Sequence, residues 1–203
     1  MNLFRTSLKI LLAVVAALQL SACSKAVQWE EEVPLNTGET IWVKREVVYK
    51  LKGGGDNPLD LAYRPNWTEE ISFEWKGKKY RYVGDAFVIL LAISPQTHQP
   101  VLVAKASYKD WSRRHNYRCT TPFYVQFLPP ADGEAWTWPP AIELWLLNMP
   151  YNLMIHRDEM TKMKARYTSS DRVTLDRTVA IQDQSNVRID PTYKSNHCSK
   201  QEN

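Results

Sequence analysis

The chain of 203 residues carries 26 lysines and arginines against 22 aspartates and glutamates, a net charge of +4. Strong non-specific attraction to nucleic acid or anionic lipid needs a larger and more clustered excess, so the composition excludes a protein that binds by charge alone. The length fits one domain, or two small ones, and is sufficient for a hydrophobic core.

The first 22 residues have the three parts of a secretory signal peptide. A short head with two basic residues precedes an apolar stretch from Ile10 to Leu20, and the small pair Ser21-Ala22 follows. The stretch up to Ala22 has 13 residues, whereas a helix needs about 20 to cross a ~30 Å hydrocarbon layer. The pattern therefore predicts a cleaved signal rather than a transmembrane helix.

The residues Leu20-Ser21-Ala22-Cys23 resemble the lipobox of bacterial lipoproteins, in which Leu and two small residues precede Cys. The resemblance covers residues 1–23 and implies cleavage before Cys23, a diacylglyceryl group on its sulfur and an acylated amino group. Two or more acyl chains hold a protein stably on a membrane. In this family an Asp after the lipidated Cys retains the protein at the inner membrane, and Ser24 stands there instead. We therefore expect a lipid-anchored protein of the outer membrane that faces the periplasm.

This interpretation divides the chain into a removed signal (1–22), a lipidated cysteine and polar tether (23–37) and a single β-rich domain (38–203). Glu30-Glu31-Glu32 in the tether is predicted to be a solvated charge run. Cys119 and Cys198 are then an even pair in an oxidising compartment, which predicts a disulfide between them. The alternatives are two separate thiols and, with an ordinary signal peptide, a plain thiol at Cys23.

Alternating apolar and polar residues predict strands through most of the domain. The first is residues 38–51, where Arg45 is the one charged residue on the apolar face, and a hairpin is predicted over 71–83 around Lys76-Gly77-Lys78. Residues 87–94 and 100–107 predict a second hairpin, whose first strand is apolar on both faces and is therefore expected at the centre of a sheet. Further strands are predicted at 121–129, 141–149, 173–182 and 185–190, and one short helix at 156–167.

About eight or nine strands at this spacing predict a mainly β fold, an antiparallel β-sandwich or a partly closed barrel. A small α+β fold is the alternative. No local motif of a catalytic nucleophile, a zinc protease or a phosphate loop is present. Glu143 lies among aromatic residues, but glycoside hydrolysis uses two carboxylates about 5 to 10 Å apart, and the sequence identifies no second one. We therefore expect no catalytic residue, no metal and no cofactor.

Eight tryptophans among 203 residues are an unusually large number. Trp136 and Trp138 flank one residue and precede two prolines that stiffen the backbone, so both indoles could project from a firm loop toward a glycan ring or a protein partner. The alternative is that both rings cap the open end of the sandwich. A second candidate surface is the basic and aromatic stretch 109–119, with Trp111, Arg113, Arg114, Tyr117 and Arg118.

Basic residues interleaved with aromatic ones are also typical of nucleic-acid binding, but a periplasmic location excludes that partner. Arginines there would pair with anionic envelope components or an acidic protein patch, unless the stretch is a solvated loop. We expect a non-catalytic binding or assembly module whose partners are the membrane, through the lipid anchor, and envelope glycan or another envelope protein. The alternatives are a lipid-anchored hydrolase of envelope glycan and a structural component of a secretion or surface assembly.

Overall fold

A computed structural model describes residues 24–53, 61–106, 121–131, 135–154, 163–172, 174 and 188–194. They form a mainly β fold with two sheets. The five-stranded sheet has the order β4-β3-β2-β1-β8, with β1 Ser24–Pro34, β2 Thr40–Gly53, β3 Leu61–Trp75, β4 Lys78–Gly84 and β8 Arg166–Tyr167. The three-stranded sheet has the order β5-β6-β7, with β5 Phe87–Ile93, β6 Pro100–Lys105 and β7 Tyr124–Phe127.

The two sheets pack face to face as a β-sandwich, which confirms the predicted fold class. Every strand pair is antiparallel except β1 with β8. One buried cluster joins the inner faces of both sheets, and its members include Ile71, Phe73, Tyr82, Leu91, Leu102 and Phe127. Within the described ranges, none of the helical residues belongs to a segment long and apolar enough to cross a bilayer.

The predicted hairpins are present. β3 and β4 meet at a two-residue turn in which Lys76 and Gly77 have φ of 48° and 76°, the left-handed conformation that tight hairpin turns require. β5 and β6 pair from Ile93 with Pro100 to Phe87 with Lys105. The sequence therefore located both turns, although β3 begins at Leu61, ten residues before the predicted start of its hairpin.

The prediction of a tether is wrong for residues 24–34, which form β1. This strand pairs with β2 along its whole length, from Ser24 opposite Lys50 to Pro34 opposite Thr40. Its inward side chains are buried, and Glu31 is among them with 0 % exposure. The charge run is therefore not uniformly solvated, because a strand sends alternate side chains to opposite faces.

β5 is buried on both faces, as its composition predicts, but it is the edge strand of its sheet rather than the central one. Its outer face is covered by residues 141–151, which include a buried Leu146. The sequence predicts a strand at 141–149, and this prediction is wrong. These residues instead form a turn of 3₁₀ helix at Leu144–Leu146 within an irregular segment.

The predicted helix over 156–167 is wrong at its described end, because β8 lies there and helical residues begin only at 169. Of the strand predicted at 173–182, only Thr174 is described, and it is helical. The described end of the strand predicted at 185–190 forms one isolated bridge, between Pro150 and Arg188. The rest of these three segments lies outside the described residues.

Candidate functional site

The open side of the sandwich between β4 and β7 is closed by the segment that contains Trp136. The Trp136 indole N–H donates to the carbonyl of Arg81 on β4 at 2.8 Å, and its ring meets Tyr82 edge to face at 5.9 Å between centroids. Thr137 exchanges two backbone hydrogen bonds with Leu128, just beyond β7, at 2.8 and 3.1 Å. Trp136 therefore belongs to the core and links the two sheets.

Trp138 behaves differently from Trp136. Its ring meets Phe127 edge to face at 6.4 Å between centroids, yet 40 % of the residue is exposed. The backbone before it is held by the Thr137 hydrogen bonds, and two prolines follow it. The structure thus separates the two predicted binding tryptophans, since one caps the sandwich and the other presents an indole from a fixed backbone.

A second exposed apolar side chain lies after β7. Leu144, in the 3₁₀ turn, is 83 % exposed, and the turn is fixed because the Glu143 amide donates to Oε1 of buried Gln126 at 2.8 Å. The Glu143 carboxylate accepts a hydrogen bond from the Trp145 indole. Trp138 and Leu144, which we call the β7 rim, are therefore both attached to the end of one strand.

The remaining sequence-predicted site residues lie outside the described residues. They are Cys23, Trp111, Arg113, Arg114, Tyr117, Arg118, Cys119 and Cys198. Their proposed roles stay predictions.

A buried ionic cluster of Glu31, Arg45 and Glu69 lies inside the sandwich, on the inner face of three adjacent strands. Arg45 donates from Nη1 to Glu31 at 2.7 Å and from Nε to Glu69 at 2.6 Å, and a further bond joins Nη2 to Glu69. The two glutamates are diagonal neighbours of Arg45, because Glu31 pairs with Val43 and Glu69 pairs with Val47. Exposure is 0 %, 0 % and 2 % for Glu31, Arg45 and Glu69.

The ionic cluster also holds the backbone at Met154 in place. Arg45 Nη1 donates to the Met154 carbonyl at 2.9 Å, and Glu31 accepts from the Met154 amide at 2.8 Å. Burial opposes the guanidinium charge, but Glu69 and Glu31 outweigh it and raise the pKa of Arg45. Sequence reasoning placed Arg45 on the inner face but missed both partners, because Glu31 was assigned to a tether and Glu69 carried no distinguishing pattern.

A tyrosine cluster lies where β7 meets residues 188–194. The hydroxyls of Tyr124 and Tyr151 are 3.0 Å apart, and Lys105 lies 5.9 and 5.6 Å from the ring centroids of Tyr151 and Tyr193. Burial raises the pKa of Tyr124 and of Tyr151. These phenols therefore remain protonated at neutral pH and act as hydrogen-bonding groups rather than bases.

The outer face of the five-stranded sheet is charged. Arg81 forms a two-bond pair with Glu70 at 2.7 Å for both bonds, and Arg166 donates to Glu30 at 2.7 Å. The Arg166 guanidinium also stacks 4.2 Å from the ring centroid of Trp42, which is 40 % exposed. Exposed ion pairs of this kind contribute about 0 to 1 kcal/mol each.

Among the residues that the structure describes, no group of three or more His, Cys, Asp or Glu side chains could hold a metal ion. Comparison with protein-family models, curated proteins and solved structures found no match to the chain.

Proposed function

We propose that the protein is a lipid-anchored lipoprotein of the outer membrane, facing the periplasm, that acts as a non-catalytic binding or assembly module. The lipobox at residues 20–23 supports the anchor. The β-sandwich supports a rigid body that begins at Ser24, one residue after the proposed lipid attachment. The partner is envelope glycan or another envelope protein.

The β7 rim carries the binding role. A partly exposed indole suits an interface, because it supplies a large contact area with little side-chain entropy to lose. The Trp138 backbone is held on its amino-terminal side by two hydrogen bonds, so little ordering accompanies contact with a partner. Aromatic stacking on a sugar ring or insertion into a protein pocket both use this geometry.

Crosslinking in intact cells, followed by mass spectrometry of the captured molecules, tests the binding role. Trp138→Ala should remove the specific partner from the captured set, since loss of a binding hot spot costs about 2 kcal/mol or more, roughly thirtyfold in affinity. Trp42→Ala is the matched control, because Trp42 and Trp138 are each 40 % exposed. Unchanged capture by Trp138→Ala, or equal loss with both variants, would contradict the proposal.

The anchor is tested separately with Cys23→Ser. Without the thiol there is no site for the diacylglyceryl group, so the variant should stay unprocessed or appear in the soluble periplasmic fraction. The mass of the amino-terminal peptide of the parent protein should show a cleaved, acylated Cys23. Normal processing and membrane attachment of Cys23→Ser would overturn the lipoprotein assignment.

A further inference from the structure

The β2–β3 hairpin extends past the start of β1. Ser24, the first residue of β1, pairs with Lys50, but β2 and β3 continue to pair beyond it, through Leu51 with Tyr63 to Gly53 with Leu61. These three further residue pairs reach about 10 Å beyond Ser24. The overhang points in the direction from which the chain enters β1, and therefore toward Cys23.

The sheet face on this overhang changes from buried to exposed. Val47 is 0 % exposed and Tyr49 is 7 % exposed, whereas Leu51 is 37 % and its register partner Tyr63 is 40 % exposed. Lys25 and Lys50 beside them are also exposed. An apolar and aromatic pair flanked by lysines thus lies at the end of the sandwich nearest Cys23; we call Leu51 and Tyr63 the hairpin tip.

We propose that the hairpin tip inserts into the headgroup layer of the membrane that holds Cys23. The proposal rests on the lipidation of Cys23 argued above. Since β1 begins at the next residue, about 3.8 Å away between Cα atoms, no flexible tether separates the lipid from the sheet. Leu51 and Tyr63 are the first pair beyond Ser24, about 3.4 Å past it, so they lie within a headgroup layer about 5 to 8 Å thick when the acyl chains of Cys23 enter the membrane.

The chemistry of the tip matches that layer. Tyrosine is enriched at membrane interfaces, because its ring contacts acyl chains while its hydroxyl contacts headgroups. Transfer of the apolar Leu51 side chain from water into this layer also favours insertion. Lys25 and Lys50 can pair with lipid phosphates, and each basic residue near an anionic surface contributes about 1 kcal/mol.

Insertion fixes the orientation of the sandwich on the membrane. β1 and β3 both run away from the tip, so the turn after β1, residues 35–39, and the Lys76-Gly77 turn lie at the opposite end. The sandwich then stands on its β2–β3 hairpin with those turns directed into the periplasm. An anchored domain on a flexible tether would have no such fixed orientation.

Site-specific fluorescence on the lipidated full-length protein tests the proposal. Tyr63→Cys and Lys79→Cys are each labelled with an environment-sensitive fluorophore and reconstituted into vesicles of phosphatidylethanolamine and phosphatidylglycerol. Both positions are exposed, and Lys79 lies one residue from the distal end of β4. We expect nitroxide-labelled lipids to quench the label at position 63 and not the label at position 79. The parent protein, which carries no introduced cysteine, is treated with the same fluorophore to measure any labelling of its native cysteines.

Adding Leu51→Asp to the Tyr63→Cys protein should reduce the quenching, because a carboxylate opposes insertion. Flotation with the vesicles and the mass of the amino-terminal peptide are measured on the same samples. A floating, acylated protein whose position 63 is no better quenched than position 79 would overturn tip insertion and leave the lipoprotein assignment standing. A protein that is not acylated would instead overturn the proposed function.

Discussion

At the scale of single residues, loss of the Arg45 side chain should strongly destabilise the fold. Arg45→Ala leaves Glu31 and Glu69 buried and close together without their shared cation. Breaking a buried pair by removing one partner costs about 3 to 5 kcal/mol. We expect a loss of that size in the free energy of unfolding, measured by urea denaturation.

The matched control for Arg45 is Arg81→Ala, which removes an exposed pair with Glu70 and should change stability by no more than about 1 kcal/mol. Equal losses in the free energy of unfolding from the two substitutions would show that the buried cluster stabilises the fold no more than an exposed ion pair does. The cluster was only half predictable from the sequence. Period two placed Arg45 inside, whereas Glu31 faces inward only because residues 24–34 form a strand, and its contact with Arg45 depends on the register of β1 with β2.

Asp171 gives a second residue-scale prediction, about pH. It accepts hydrogen bonds from the Thr168 amide at 2.9 Å and from the Thr168 hydroxyl at 2.8 Å, while the Asp171 amide donates to that hydroxyl at 3.3 Å. This reciprocal capping box begins the helical residues after β8. The bonds from the Thr168 amide, from Lys164 and from the Thr168 hydroxyl lower the pKa of Asp171 from 3.8 to about 2.

A lowered pKa means that the folded state favours the ionised carboxylate. The stabilisation is therefore fully present above pH 4 and is lost as the pH falls from about 4 toward 2. Carboxyl-carbon NMR of Asp171 should titrate with a midpoint near 2, and Asp171→Asn should remove the acid-dependent opening of the Thr168 amide measured by hydrogen exchange. A midpoint at the ordinary value of 3.8 would refute the capping role.

At the scale of elements, the free edge of β5 is paired by two asparagine side chains that act like a neighbouring strand. The Asn36 side chain accepts a hydrogen bond from the Ile93 backbone N–H at 2.7 Å and donates one to the Ile93 backbone carbonyl at 2.8 Å. The Asn152 side chain likewise accepts from the Leu91 backbone N–H at 2.9 Å and donates to the Leu91 carbonyl at 2.7 Å. It also donates to the Pro34 carbonyl at 2.8 Å. An unpaired strand edge invites pairing with another chain, and these side chains prevent it.

Asn152→Ala should destabilise the protein by about 3 kcal/mol, because three hydrogen bonds of roughly 1 kcal/mol each are lost, two of them buried. Thermal unfolding measures the change, with Gln96→Ala, an exposed amide near the same edge, as the control. The double variant Asn36→Ala, Asn152→Ala should also form higher oligomers in size-exclusion chromatography. A double variant that stays at the parent's size would argue against the edge-blocking role.

These caps explain why the position of β5 in its sheet could not be predicted. A run that is apolar on both faces indicates burial on both faces, and that part is right. Whether such a strand is central or at an edge depends on what covers it, and Asn36 and Asn152 lie far from β5 in the sequence. The strand predicted at 141–149 failed for a related reason, since its apolar residues cover a sheet face without pairing with it.

At the scale of the whole molecule, tertiary contacts bring together the segments that flank Cys119 and Cys198. The Phe123 amide donates to the Tyr193 carbonyl at 2.9 Å, and the rings of Tyr124 and Tyr193 are 5.0 Å apart between centroids. Cys119 is four residues before Phe123, and Cys198 is five residues after Tyr193. Extended segments of four and five residues reach at most about 14 and 18 Å, so the positions of Phe123 and Tyr193 do not prevent a bond between the two cysteines.

The disulfide between Cys119 and Cys198 stays a prediction from the cysteine count, and mass spectrometry tests it. Intact mass should be two hydrogens lower without reductant than with it, and Cys119→Ser or Cys198→Ser should abolish the difference. Closing a loop of about 80 residues contributes ~4 kcal/mol in the chain-entropy model, so reductant should lower the unfolding temperature of the parent and leave both variants unaffected. Cys23→Ser, which removes the thiol assigned to the lipid, should retain the mass difference. An unchanged parent mass under the two conditions would show instead that Cys119 and Cys198 are separate thiols.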